Sequence, residues 1–486
     1  MEGGDCVVLR DALLQRAESH ARRIAYTYRD DSLTFAELAE RAVSRACSLQ
    51  RGGVGPGSRV AVAMSAGLPL VETFWALQLL GAVPCLFNPS VPEPTLRGRI
   101  EMIRPVVVVT DATTVDRGAA GTSLTHLALD PDGLAYLQFT SGTSGKPRAA
   151  MLRHTNVIAY LHAAEADGHV GADDRLVSWV PPWHDLGLVR FVIGAVYYGV
   201  TCHITEPAIR TIPDWLATIS RARGTVSGAP DFAYRVAVRM VDPTTVDLSS
   251  LRISTIAAEP VRWATIQEFE TRFGVPGALR PAYGLAEATL GVTATLVGDE
   301  VNVDERGNVS NGQAHSCFEV HAGASLEAPE EILVRGAPIF AGYFDAPEET
   351  KRTLQGGWLH TGDFGYTDGH GRLYVLGRRS GMIKRAGAVV APRELEEAAE
   401  RVDGVRIAAA TTAPAGGDGK DPVVVVVEAD VSEELSRDQI ARDVSSQIVA
   451  ALGFAPERVI VAPRRTIPRT ENGKVRHDRL RQTLFG

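Results

Sequence analysis

The chain has 486 residues, 45% of them apolar and 22% charged. That is ordinary globular composition, long enough to bury a large core without a disulfide or structural metal. Lys and Arg number 50 against 58 Asp and Glu, a net charge of −8, which speaks against a dedicated nucleic-acid binder with a basic face. The five cysteines are scattered with no CxxC pair, as expected for buried thiols in a reducing compartment rather than for zinc ligands. The N-terminus lacks the apolar core of a signal peptide, and no run of about 18 apolar residues could span a membrane. A cytoplasmic location is expected, with no nucleic acid and no membrane span among its partners.

In chain order the pattern is α/β. LTFAELAERAVSRACSLQ (33–50) has helical spacing and stops before Gly52-Gly53. RVAVAM (59–64), the apolar helix LPLVETFWALQLLGA and VPCLFNP form a strand–helix–strand unit, which implies parallel pairing. VVVVT (106–110) and LAYLQFT (134–140) are further buried-strand candidates, and short strands between helices are expected to continue to about residue 340. The last hundred residues read as a separate small α/β unit. RLYVLGR (372–378) and the helix PRELEEAAERV are followed by VRIAAATTA, the turn at 416–419, the strand PVVVVVEAD, the helix RDQIARDVSSQIVAAL and the strand ERVIVA. The tail RRTIPRTENGKVRHDRLRQ is basic and polar. The length prior of about three domains thus becomes a large multi-subdomain α/β region, 1–378, and a small mobile α/β domain, 379–486. No low-complexity linker separates them, so close contact is expected.

Five segments carry chemistry. In LQFTSGTSGKPRAAMLRHTN (137–156), a strand ending at Thr140 runs into Ser141, Gly142, Thr143, Ser144, Gly145 and Lys146. Glycines let the backbone turn tightly and aim N–H groups at anionic oxygens, while hydroxyls and a lysine add donors and charge. A polyphosphate needs such a loop, although Thr140 and Pro147 depart from a Walker A pattern. In AYGLAEATLG (282–291), Glu287 near a polyphosphate would hold Mg²⁺. In GWLHTGDFGY (357–366), Asp363 could accept hydrogen bonds from two ribose hydroxyls. GRRSGMIKRAG (377–387) places Arg378 at the domain boundary, and PRTENGKVRHDRL (468–480) carries Lys474 on a polar loop.

In this order the segments resemble those of the adenylate-forming superfamily of acyl-CoA synthetases, nonribosomal adenylation domains and luciferases, over nearly the whole chain. LTFAEL, LLGAVPCLFNP, TSGTSGKP, YGLAEATL, GAPIFAGYF (336–344), LHTGD, the Gly377-Arg378 pair and PRTENGKV are similar to its successive motifs. VSWVPPWHDLGLV (177–189), VSGAPDFAYRVAVR (226–239) and AAEPVR (257–262) resemble fatty acyl-AMP ligases most. The resemblance implies ATP-dependent conversion of a carboxylic acid to acyl-AMP, with Mg²⁺, then transfer to an acyl carrier protein thiol. It implies that Lys474 offsets the charge developing at the α-phosphate, that His184 lines the acyl entrance and that Glu287 holds the metal. ATP would contact residues 140–146, Ala258, Glu259, Tyr283, Gly284, Ala286, Asp363 and Arg378. The acid would lie among Trp183, Asp185, Arg190, Asp231, Phe232, Tyr283 and Gly284.

The chain departs from that pattern in three places. Ser380 stands at the hinge position, where the family usually has Asp or Lys. The stretch GYFDAPEETKRTLQGGWLHTGD lacks the insert typical of fatty acyl-AMP ligases, which leaves coenzyme A open as acceptor. Arg190 and Asp231 are charged where an alkyl tunnel is expected. They face outward, pair with one another, or meet a polar group on the acid, since an unpaired charge in such a tunnel costs several kcal/mol. Alternative readings are an acyl-CoA ligase, a stand-alone amino or β-amino acid adenylating enzyme, and a non-catalytic protein that binds ATP or acyl-adenylate.

Overall fold

The computed structural model describes residues 7–113, 128–140, 147–378, 381–385, 388–413, 422–429, 436–469 and 475–486. The loop 141–146, Ser380 and Lys474 lie outside them. Among the described residues the large region contains two mainly parallel sheets and one antiparallel sheet. A five-stranded sheet runs Val107–Thr110, Arg59–Ala63, Val83–Leu86, Leu134–Thr140, Arg148–Arg153, parallel except for the last pair. A nine-stranded sheet has a parallel centre that includes Ile253–Ala257, Val226–Pro230, Arg175–Ser178 and Thr201–Ile204.

Local sequence explains these elements. Thr34 caps the helix Phe35–Arg51 through a reciprocal pair with Glu37, at 3.2 Å and 2.8 Å, which satisfies two donors that a helix start leaves free. The expected strand–helix–strand unit is present: Arg59–Ala63 and Val83–Leu86 pair in parallel across Leu68–Leu79. That helix is apolar on every side because it is buried on every side. Its one carboxylate, Glu72, is met by Arg41 at 3.2 Å and Arg45 at 3.3 Å. Trp75, Phe74, Tyr26, Tyr136 and Phe191 belong to the core cluster formed in this region.

The expected alternation of strands and helices does not reach residue 340. From Gly291 to Gly336 the strands Gly291–Ala294, Gln313–Ala314, Phe318–His321 and Glu330–Gly336 follow one another antiparallel or through loops. Glu330–Gly336 shows the reason, since its burial alternates residue by residue. A strand with one solvated face suits an antiparallel sheet.

In the small unit Val423–Ala429 is the central strand, paired with Val405–Thr412 on one side and Arg458–Ala462 on the other, and the helices Pro392–Glu400 and Arg437–Leu452 pack against that sheet over a core of its own. The end of the basic tail is helical. It contains the helix His477–Phe485, which buries Leu480 against Ala409 and Val424. The two units touch, as expected from the missing linker: Arg262 pairs with Glu400, and Arg393 Nη2 donates to Gly307 O at 3.5 Å. Among the described residues no helix is long and apolar enough to cross a membrane.

Candidate active site

The strand Leu134–Thr140 and its antiparallel neighbour Arg148–Arg153 form a hairpin that joins Thr140 to Arg148 across the loop 141–146. Thr140 is the last residue before that loop. Its hydroxyl oxygen is buried and has no hydrogen-bond partner among the described residues. Buried hydroxyls are normally satisfied, so an orphan at the mouth of a Gly/Ser/Thr loop suits an absent polar ligand. Two residues back, Gln138 Nε2 donates to Trp183 O at 2.9 Å, which ties the hairpin to the HDLGLV segment.

The other edge of the hairpin carries the GAPIFAGYF segment. Met151 N donates to Gly342 O and Phe344 N to Ala149 O, and this places Tyr343 beside Glu287. The Tyr343 hydroxyl donates to Glu287 Oε1 at 2.6 Å. Glu287 sits in the short turn Ala286–Ala288, held by Phe340 N on its own carbonyl. Burial pushes its carboxyl up from the usual range, and the Tyr343 hydrogen bond works against that rise. Gly284 must be glycine here, since a Cβ would lie 1.9 Å from Leu290 O. The oxygen that Tyr343 does not use suits Mg²⁺, which takes few protein ligands.

A third group closes the site. Asp363 and Arg378 face one another across neighbouring strands, with Arg378 Nε 2.8 Å from Asp363 Oδ1. The Tyr283 hydroxyl donates to Asp363 Oδ2 at 2.7 Å, and Arg378 Nη1 donates to Thr361 O at 2.7 Å. Burial, then the Asp363 charge, pushes the Tyr283 hydroxyl well up, so it stays a donor. Tyr283, Asp363 and Arg378, about a hundred residues apart at the extremes, are thus brought together.

The remaining expected residues fall around the acid side. His184 Nδ1 is 2.6 Å from Asp185 Oδ1, and Asp185 accepts from Leu186 N at the start of the π-helix Leu186–Ile193. Trp183 packs against the main core. Arg190 and Asp231 are both buried, and they do not pair with each other. Arg190 Nη1 donates to Thr255 Oγ1 at 2.7 Å. Asp231 Oδ2 accepts from Arg235 Nε at 2.9 Å and Oδ1 from Arg262 N at 3.0 Å. The outward-facing and mutually paired arrangements are therefore both excluded. Phe232 packs edge-on to Trp179, and Glu259 accepts from Phe232 N at 2.6 Å, fixing the start of the helix Asp231–Met240. Ala258 has φ +66°, a left-handed conformation that costs a non-glycine residue energy and clusters at ligand sites.

Sequence reasoning gave no role to Tyr343, Gln138, Thr255 or Arg262. Tyr343 lay in a segment matched only as a motif. The others are single polar residues whose partners stand far along the chain, so no local spacing could announce them.

The family model for AMP-binding enzymes matches residues 13–128 and 119–344. The Mycobacterium tuberculosis protein Rv1013, whose name goes no further than ligase, is 30% identical over 91% of this chain and 93% of its own. The medium-chain fatty acid–acyl-carrier-protein ligase JamA of Moorena producens is 28% identical over 97% and 94%. A solved structure from work on the fatty acyl-adenylate ligases of E. coli and L. pneumophila superposes with a TM-score of 0.82 at 26% identity, covering 99% of this chain and 98% of that one.

Proposed function

The chain belongs to the AMP-binding enzyme family, and from that premise we propose that it activates a carboxylic acid with ATP and hands the acyl group to the phosphopantetheine thiol of an acyl carrier protein. It is an AMP-forming ligase of adenylate-forming architecture. The observation that carries the proposal is the convergence of Tyr283, Asp363 and Arg378 with Glu287 and Tyr343 around the hairpin that presents the loop 141–146.

In this reading a carboxylate oxygen attacks the α-phosphorus and the bond to the bridging oxygen breaks, releasing pyrophosphate and leaving acyl-AMP. The thiolate then attacks the acyl carbon and AMP departs. Two anions must approach in the first step, so positive charge has to offset their repulsion as the transition state forms. Lys146 and Lys474 supply it in this proposal. Mg²⁺ held by Glu287 would add charge at the phosphates. Asp363 binds the ribose hydroxyls, Arg378 orients Asp363, and Ala258, Glu259, Tyr283, Gly284 and Ala286 border the nucleotide. His184 lines the path of the acid, with Trp183, Asp185 and Phe232 nearby. Residues 379–486, with Ser380 at the hinge, form the unit that reorients between the steps.

Coenzyme A is the second reading. It is favoured by the compact path from Tyr343 through the helix Pro347–Thr353 to the strand Trp358–Thr367, which holds no inserted element. The amino acid reading rested on Asp231, whose two oxygens are already engaged. Acid-dependent exchange of pyrophosphate into ATP tests the first step. Single-turnover acyl transfer to a phosphopantetheinylated carrier and to free coenzyme A tests the second. Faster transfer to coenzyme A would overturn the carrier-protein assignment and leave the adenylation standing.

A further inference from the structure

Arg190 is a buried cation in the acid half of the site. It is 6% exposed and sits on the π-helix Leu186–Ile193, one turn beyond Asp185. Among the described residues its guanidinium makes one hydrogen bond, Nη1 to Thr255 Oγ1, and no carboxylate lies within ion-pair distance of it. Asp231, the other charged residue of the expected acid pocket considered as its partner, is taken by Arg235 and by the Arg262 amide.

Three polar groups that feel the Arg190 charge are neutral. Burial brings the His169 imidazole down to about 3. It also pushes the Tyr198 and Tyr234 hydroxyls up. Asp167, on the far side of His169, is committed to His315 at 2.8 Å and to Ser316 N at 3.2 Å.

One neutral hydrogen bond is poor compensation for a desolvated guanidinium with five donors. Gly228 stands opposite Thr255 in the parallel sheet, and a Cβ there would lie 3.2 Å from Thr255 Cβ, so its backbone packs closely against the Arg190 partner. Thr255 is the middle residue of the strand Ile253–Ala257, whose C-terminal end leads into Ala258. Open parallel sheets bind ligands at that end.

We propose that Arg190 selects the acid: the pocket takes a dicarboxylic acid, whose distal carboxylate pairs with the Arg190 guanidinium while the other carboxylate is adenylated. The substrate thus supplies the anion that the fold withholds. An unbranched fatty acid of equal length would leave the cation unpaired. Charge-assisted pairing of this kind typically changes discrimination by about tenfold or more. This inference rests on the adenylating activity proposed above.

The test is pyrophosphate exchange with the full chain over matched acids: succinate, glutarate, adipate and suberate against butyrate, valerate, hexanoate and octanoate. The expected result is a higher kcat/KM for a dicarboxylate than for its matched monocarboxylate, by about tenfold or more. Arg190→Met should invert that ratio, and Arg190→Lys should keep part of the original preference. Preference of the natural enzyme for the monocarboxylates would overturn the inference, even if Arg190→Met does not fold. An unchanged ratio in a folded Arg190→Met enzyme would overturn it too. Exchange with no acid at all would instead sink the adenylating activity, and the inference with it.

Discussion

Arg262 of the large region pairs with Glu400, the last residue of the helix Pro392–Glu400 in the small one. The same Arg262 donates its amide to Asp231, and Asp231 holds Arg235. A polar chain thus runs from the acid-side helix Asp231–Met240 to the small unit. Burial alone would lower the Arg262 pKa, but Glu400 overrides it and the net direction is up. Glu400 also accepts from Ala408 N at 2.9 Å, so Glu400→Gln removes charge while keeping that acceptor. If the small unit must turn between the two steps, this pair favours one orientation. Glu400→Gln is expected to cost that orientation about 2 kcal/mol, between exposed and buried pair values. The ratio of adenylation to transfer rates should shift several-fold, measured by exchange against single-turnover transfer, with little change in Tm.

Glu287 must be ionised to hold a metal, and Tyr343 helps to keep it so. Without that hydroxyl, burial acts on Glu287 against less opposition and its pKa rises further. Tyr343→Phe should weaken Mg²⁺ dependence by about tenfold, the usual effect of removing a partner of a metal ligand. The acid limb of the pH–rate profile should move to higher pH. Mg²⁺ titrations at two pH values check both effects.

Tyr283→Phe removes one of the partners that orient Asp363, and Asp363→Asn removes the charge-assisted acceptor for the ribose. The first should raise the KM for ATP by a few-fold, the second by about tenfold or more. The KM for the acid should change less in both variants. An equal loss for ATP and acid would speak against a ribose role.

Lys474→Ala tests the charge proposed at the α-phosphate. Exchange should fall by about a hundredfold or more, in line with loss of a preorganised transition-state donor, while Tm stays unchanged. Exchange at the natural rate would remove the lysine from the first step.

His154 and His169 are buried and held neutral, mainly by desolvation, at about 4 and about 3. His154 Nδ1 accepts from Leu9 N at 3.3 Å. Their folded pKa values lie below the unfolded value of 6.5, so the unfolded chain binds protons first as pH falls. Stability is full above about pH 6.5 and declines below it, by up to about 1.4 kcal/mol per pH unit for each group. Denaturant melts at pH 7.5 and 5.5 should show the loss, and a His154→Gln, His169→Leu variant should show less of it.

The sequence by itself determined the parallel α/β architecture. Runs such as RVAVAM and LAYLQFT are apolar on both faces, a pattern that buried parallel strands require. It also pointed to Asp363, Arg378, Tyr283 and Glu287, because their motifs are local and occur in a recognisable order. It could not place Arg190 and Asp231. A charged residue in an apolar run carries no record of its partner, and here the partners are Arg235, the amide of Arg262 and the hydroxyl of Thr255. Only the packing of the π-helix over the strand Ile253–Ala257 separated the two, leaving Asp231 satisfied and Arg190 a cation among neutral groups. The pairing of Tyr343 with Glu287, and of Arg262 with Glu400, likewise joins segments 56 and 138 residues apart. Contacts at such separations follow from how sheets and units close on one another, which no local pattern encodes.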